Sequence, residues 1–133
     1  MARVPATRAG AILAVSDFAA SLAFYRDVLG LQVAATYDDP PYATLVAAGA
    51  RLSLAEEGHA AEDRPGVAMV APKDSSQANV VLVLEVEDAQ AVHRELAAEG
   101  VRFLAEPYEP SWGGCRFFCV DPDGYLVEIE QPA

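Results

Sequence analysis

Cysteine and histidine are scarce in this sequence, which contains two of each. Cys115 and Cys119 stand four residues apart in a stretch that predicts a strand, so their Cα atoms would be about 13 Å apart. A disulfide cannot span that distance, and we expect both cysteines to be reduced and buried. His59 and His93 have no partner residue at the spacing of a metal site or a catalytic triad. The sequence therefore excludes an internal disulfide and contains no histidine motif for catalysis.

Basic residues and long apolar runs are also lacking. Nine Lys and Arg residues stand against twenty Asp and Glu residues, which gives a net charge of -11. This charge repels nucleic acid and favours a cationic partner, although an acidic surface that only aids solubility is the simpler interpretation of the composition. No apolar run is long enough to span a membrane, and residues 1–15 do not resemble a signal peptide. We expect a cytoplasmic protein without nucleic acid or membrane partners.

Hydrophobic residues are abundant, at 53% of the 133 residues, and predict a substantial core. Leu13–Val33 predicts a strand, a helix over about 17–29 and a second strand. Asp17 is a good N-cap residue, and Gly30 can adopt the left-handed conformation that ends a helix. One apolar face is predicted at a helical spacing, and it consists of Phe18, Leu22, Tyr25 and Leu29.

The same pattern is repeated about seventy residues later, in Leu84–Phe103, which predicts a second helix over about 88–99. The matched residues are Val15 with Val86, Asp17 with Asp88, and Gly30 with Gly100. Two copies of one structural module would explain this match. Chance is the alternative, because Asp caps and terminal glycines are common.

The strands around each helix predict an α+β fold of two βαβββ modules in a single domain over 1–133. Module 1 covers about 8–57, a polar linker covers about 58–78, and module 2 covers about 79–131. Alternation in the first strand predicts that Leu13 and Val15 lie under the helix. The sequence DPDG, at 121–124, predicts a tight turn between the last two strands.

Three segments together carry a family resemblance: SDFAASLAFYRDVLGLQV, VEDAQAVHRELAAEGV and WGGCRFFCVDPDGYLVEIEQ. They resemble the glyoxalase/bleomycin resistance/extradiol dioxygenase superfamily, also called vicinal oxygen chelate. The resemblance implies βαβββ modules whose curved mixed sheets form an open cup with a small-molecule site on its concave face. Whether the modules pair within one chain or across a dimer stays open.

Metal-dependent members of this superfamily have ligands in the first and last strand of each module. The family pattern His-x-x-Leu-x-Val-x-Asp aligns its histidine with Gly10 in module 1 and with Val81 in module 2. The corresponding last-strand positions are Ser53 and Glu128. One carboxylate and one hydroxyl are too few donors for a divalent cation. We therefore expect no metal and no cofactor.

The metal-free members that the chain resembles most are the bleomycin resistance proteins. The resemblance implies a homodimer that sequesters an aromatic, cationic antibiotic or metabolite, with Trp112 stacking on a flat ring of that ligand. Packing of Trp112 over a strand end is the alternative. The candidate ligand-binding residues are Trp112, Tyr108, Tyr37, Tyr42, Glu128, Glu85, Ser53 and Phe117.

A second hypothesis is an enzyme of the same superfamily, of glyoxalase, lyase, isomerase or dioxygenase type. In that case Glu128 would be a general base or a partial metal ligand, because a carboxylate in an apolar cup can have a raised pKa. No pair of nucleophile and base is evident in the sequence, so we favour the binding protein.

Overall fold

The computed structural model of the protein describes residues 3–133, and the chain divides into two compact units, Met1–Ala71 and Pro72–Ala133. Each unit contains one four-stranded sheet and one helical segment. The first unit consists of β1 (Gly10–Val15), α1 (Phe18–Ala23), a π-helical turn (Phe24–Val28), β2 (Gln32–Asp38), β3 (Pro41–Ala47) and β4 (Ala50–Glu56). The second consists of β5 (Val81–Glu85), α2 (Ala89–Ala98), β6 (Arg102–Phe103), β7 (Cys115–Val120) and β8 (Leu126–Gln131).

Both sheets have the same topology. Their strand orders are β1-β4-β3-β2 and β5-β8-β7-β6. In each sheet the first strand pairs in parallel with the last, and the remaining neighbours are antiparallel. The predicted α+β fold of two βαβββ modules is therefore confirmed.

Both helices begin at the predicted caps. An Asp17 carboxylate oxygen accepts from the Ala20 amide at 3.1 Å, and an Asp88 oxygen accepts from the Ala91 amide at 3.0 Å. Each bond satisfies one of the amides that a helix start leaves unpaired. Within residues 3–133, neither helix is long and apolar enough to cross a membrane.

The first helix differs from its prediction, because its second half is π-helical. The Leu29 amide donates to the Phe24 carbonyl five residues earlier, at 2.9 Å. Tyr25 of the predicted apolar face is fully buried, and so is Ser21, which lies outside that face. Phe18 and Leu29 of the predicted apolar face are only half-buried. A pattern with a period of 3.6 residues contains no signal for such a turn.

The core of each module lies between its helix and its sheet. Leu13 and Val15 are buried as predicted. The helices pack on the two middle strands of each sheet: α1 on β3 and β4, and α2 on β7 and β8. Other buried residues on this side include Ala43, Leu45, Leu52 and Leu54 in the first unit, and Phe117, Cys119, Val127 and Ile129 in the second.

Two connections shape the edges of the sheets. The strand predicted after α2 is short, since β6 ends at Phe103 and the chain returns to the sheet only at the bridge between Tyr108 and Arg116. Residues 57–80 form turns without helix or strand. Within this segment the Ala71 amide donates to the Glu57 carboxylate at 2.9 Å, which joins the two ends of the stretch 57–71.

Candidate functional site

Each sheet has one face covered by its helix and an opposite face, which we call the open face. Because side chains alternate along a strand, the strand register shows which residues share a face. Leu52 and Leu54 lie on the helix-covered face of the first sheet, so Ser53 between them lies on its open face. Val127 and Ile129 likewise place Glu128 on the open face of the second sheet.

The register supports the alignment of the four family metal positions. Gly10 pairs with Arg51, two residues before Ser53, and Val81 pairs with Leu126, two residues before Glu128. The two modules therefore place these positions in the same way relative to each other. Within each module the two positions lie on adjacent strands of one open face.

The residues at these positions do not fit a divalent cation. Gly10 has no donor, and a Cβ there would lie 2.5 Å from the Arg51 carbonyl oxygen. The Ser53 hydroxyl already accepts from Arg51 at 2.9 Å and lies 3.3 Å from the Thr44 hydroxyl. Val81 is aliphatic, and Glu128 is a single carboxylate. Over residues 3–133, no three His, Cys, Asp or Glu side chains are grouped as metal ligands would be.

Two aromatic side chains flank a guanidinium on the open face of the second sheet. The Arg116 guanidinium carbon lies 5.7 Å from the ring centre of Trp112 and 5.9 Å from that of Tyr108. Both are cation–π distances. Trp112 is 67% exposed and Tyr108 is 54% exposed, so a large part of each ring is open to solvent. A flat molecule can therefore reach the Trp112 ring.

Carboxylates and aliphatic side chains make up the rest of this face. Arg116, Glu130 and Glu85 are neighbours across three adjacent strands, and Phe118, Glu128 and Val83 form the next row. An Arg116 nitrogen lies 3.9 Å from a Glu128 oxygen, a weak ion pair. A small cavity of about 170 Å³ borders the face, and its lining includes Trp112, Arg116 and Glu130. The face combines negative charge with an apolar surface.

The open face of the first sheet carries a different set of polar groups. Arg51 donates from Nε to the Ser53 hydroxyl at 2.9 Å and from Nη2 to the Tyr42 hydroxyl at 2.6 Å. Tyr42 pairs across the strands with Tyr37, and their ring centres are 6.1 Å apart. Tyr37 is 59% exposed. This face therefore presents a hydrogen-bonded cation beside two tyrosines.

The structure places the eight candidate residues in three groups. Trp112, Tyr108, Glu128 and Glu85 are associated with the open face of the second sheet, and Tyr37, Tyr42 and Ser53 with that of the first. Phe117 differs from both groups, because it lies on the helix-covered face against His93 and Phe103. Its position removes it from the site that we propose below. Ser53 is on the open face of its sheet, but its side chain is fully buried, at 0% exposure.

Sequence reasoning missed the two arginines of the open faces, Arg51 and Arg116. Alternation along CRFFCV was a signal for Arg116, since it sets this residue opposite the buried cysteines. The neighbours of each arginine lie on other strands, however, and only the register brings them together. Cross-strand pairs of this kind cannot be read from spacing within one strand.

Both cysteines are free and buried, as predicted. Burial raises the pKa of the Cys119 thiol to about 11. Burial also raises the pKa of the Cys115 thiol, and the nearby Glu109 carboxylate adds to that shift. Thiolate is the reactive form of cysteine, so neither residue is an activated nucleophile.

Two βαβββ modules, each with one sheet face left uncovered by its helix, are the architecture that the sequence motifs implied. A family model described as the Glyoxalase/Bleomycin resistance protein/Dioxygenase superfamily matches residues 7–129. The chain belongs to this superfamily, as its motifs predicted.

Individual relatives are distant but match along most of the chain. The chain is 28% identical to Uncharacterized protein YraH of Bacillus subtilis, over 88% of this chain and 91% of that protein. It is 29% identical to the Lactoylglutathione lyase of Salmonella typhimurium, over 89% of this chain and 87% of that enzyme. A glyoxalase/bleomycin resistance protein/dioxygenase from Nocardioides has a similar fold, with a TM-score of 0.78 at 21% identity, covering 98% of this chain and 85% of that one.

Proposed function

We propose that the protein is a metal-free binding protein that sequesters an aromatic, cationic small molecule, such as an antibiotic or metabolite. The open face of the second sheet is the proposed site. The observation that carries this proposal is the exposed Trp112 ring, which stands beside Arg116 on a face rich in carboxylates. An indole ring can stack on a flat aromatic group with a gain of about 0.5–1.5 kcal/mol beyond area burial.

The charge of this face supports a cationic ligand. Three carboxylates, from Glu85, Glu128 and Glu130, lie on the open face, and Arg116 pairs weakly with only one of them. Within residues 3–133, neither Glu85 nor Glu130 forms an ion pair. The net charge of -11 adds a long-range attraction for cations.

The missing donors at the family metal positions favour binding over metal-dependent catalysis. Gly10, Ser53 and Val81 stand where the family pattern has ligands, and only Glu128 could contribute one. The Lactoylglutathione lyase name belongs to a relative with 29% identity. Within residues 3–133, the ion pair formed by Glu128 is a weak one with Arg116 at 3.9 Å, which would not set up its carboxylate as a general base. The enzyme hypothesis therefore gains no support from the geometry.

We also propose that the protein acts as a homodimer. The exposed Val81 and Val83 of β5 leave aliphatic surface on the strand at the edge of the second sheet. Contact between two copies would remove this surface from water. Sedimentation at micromolar concentration should give twice the chain mass, and a monomer would contradict the proposal.

The ligand proposal is tested by calorimetric titration with a bleomycin and with a neutral polycyclic quinone. Trp112→Ala should weaken binding of the cationic drug at least several-fold, because stacking worth about 1 kcal/mol is lost. Glu128→Gln should weaken the cationic drug more than the quinone. Higher salt should slow association, since charge interactions are screened within about 10 Å at 0.1 M salt.

Two control variants decide where the ligand binds. Glu95→Gln makes the same charge change as Glu128→Gln on the exposed side of α2 and should leave affinity almost unchanged. Tyr37→Ala removes an exposed ring from the first sheet instead of the second. If Tyr37→Ala weakens binding and Trp112→Ala does not, the site is on the first module. If neither drug nor quinone binds, the proposed ligand class is wrong.

A further inference from the structure

An arginine without an acidic partner stands on the open face of the first sheet. Two of the five N–H groups of Arg51 donate to the hydroxyls of Ser53 and Tyr42. Three N–H groups therefore remain for another acceptor. Within residues 3–133, no carboxylate pairs with Arg51, although the chain contains twenty acidic residues and nine basic ones.

An open groove of about 580 Å³ runs beside this arginine along β1. Its lining includes Thr7, Arg8, Gly10 and Ile12 together with Arg51. Arg8 also lacks an ion-pair partner within the described part of the chain. A Cβ at position 10 would lie 2.5 Å from the Arg51 carbonyl oxygen, so glycine is what allows β1 to lie this close to Arg51 beside the groove. The lining of the groove thus includes two arginines that form no ion pair within the described residues, together with a threonine.

We propose that this groove binds the oxyanion group of a small molecule, either a carboxylate or a phosphate monoester. Arg51 and Arg8 supply the positive charge, and Thr7 supplies a hydroxyl donor. Guanidinium groups bind such oxyanions through charge-assisted hydrogen bonds, often two at once. The bonds to Ser53 and Tyr42 already hold the Arg51 side chain, so less conformational entropy is lost when an anion binds.

This proposal does not depend on the aromatic cation proposed for the second module. It concerns another sheet, other residues and a ligand group of opposite charge. A protein that binds an oxyanion at Arg51 and no aromatic cation would support this inference and contradict the proposed function. The reverse result would support the proposed function and contradict this inference.

The test is an NMR titration of the ¹⁵N-labelled full-length protein with inorganic phosphate and, separately, with succinate, at constant ionic strength. The Nε–H signal of Arg51 and the amides of residues 7–12 should shift and saturate with at least one of the two anions. Arg51→Gln should weaken binding about tenfold, as expected when a charge-assisted hydrogen bond is lost. Arg8→Gln should weaken it several-fold.

Arg26→Gln is the matched control, because it removes one positive charge from an exposed arginine that is already paired with Asp27 at 2.7 Å. It should leave the affinity unchanged. Saturation with phosphate alone indicates a phosphate ligand, and saturation with succinate alone indicates a carboxylate. No saturable shift with either anion, or equal weakening in Arg26→Gln and Arg8→Gln, would overturn the proposal. If Arg51→Gln does not fold, the wild-type titration and Arg8→Gln still decide the question.

Discussion

The two modules share a backbone plan but differ in the charge of their open faces. Ser53 and Glu128 occupy equivalent positions, each two residues after the partner of the first-strand position. In the first module that position is a hydroxyl bonded to Arg51, and in the second it is a carboxylate near Arg116. Strand pairing and helix packing are thus the same in both modules, while the polar side chains of the open faces differ. The following predictions test this comparison at matched positions.

The largest effect is expected in the shared core. Leu54 and Ile129 are equivalent residues, directly after Ser53 and Glu128, and both are buried, at 0% and 2% exposure. Leu54→Ala and Ile129→Ala should each lower the free energy of unfolding by about 2–5 kcal/mol, because each leaves a cavity. Urea denaturation measures this loss. Val83→Ala, on an open face, is the control and should cost much less. A small loss in one core variant would show that the modules are not equivalent.

A substitution at Gly10 should cost more stability than one at Val81, the matched position of the second module. A Cβ at Gly10 would lie 2.5 Å from the Arg51 carbonyl oxygen and 2.7 Å from the Arg51 Cβ. Gly10→Ala should therefore destabilise the protein by about 1–3 kcal/mol through overpacking. Val81→Ala, at the matched position of the second module, removes methyl groups that are 39% exposed and should cost about 0.5 kcal/mol or less. Thermal or urea denaturation of both variants gives the comparison, and equal costs would contradict it.

Loss of the helix N-cap should destabilise the protein by a similar amount in both modules. Asp17→Ala and Asp88→Ala each remove one bond to an amide of the first turn, at 3.1 and 3.0 Å. Each should lower the free energy of unfolding by about 1 kcal/mol. Asp17→Asn and Asp88→Asn should each cost much less stability than the Ala variant, since the Asn side-chain oxygen can accept the same bond. A cap cost found in only one module would show that the other helix does not depend on its cap.

The structural features predicted correctly from the sequence are those that depend on residues close together in the chain. Asp17 and Asp88 cap their helices, and Gly30 and Gly100 adopt φ values of 77° and 78°, as residues after a helix end often must. Alternation also predicted that Leu13 and Val15 are buried. These features depend on a few neighbouring residues, whose preferences are visible in one short stretch.

Features that depend on pairing between distant strands could not be predicted. Arg116 meets Tyr108 across a bridge and Glu128 across a strand pair. Arg51 meets Tyr42 on the neighbouring strand. Phe117 was a ligand candidate, although alternation along CRFFCV already sets it on the same face as the buried Cys115 and Cys119; only its contacts with His93 and Phe103 needed the structure. The strand register therefore shows which residues meet at the candidate site, and the sequence of a single segment does not.

The smallest effect is expected from metal ions, and it tests whether the open faces differ from those of metal-dependent relatives. The module with the carboxylate, Glu128, is the one where residual metal affinity would be found. A cation present at a hundred times its Kd would raise the free energy of unfolding by about 2.7 kcal/mol. We expect no measurable change with zinc, nickel or manganese, because one carboxylate and one bonded hydroxyl cannot replace the water around such an ion.

Val81→His sharpens this last test. It places an imidazole on the strand beside Glu128, at an exposed position where a larger side chain has room, so the second module would then hold two donors. Denaturation with and without zinc should show a larger gain for Val81→His than for the wild-type protein. Stabilisation of the wild type by a metal, lost in Glu128→Gln, would instead mean that Glu128 recruits donors from outside its own module. The metal-free proposal would then be wrong, and the binding site would have to be assigned again around that ion.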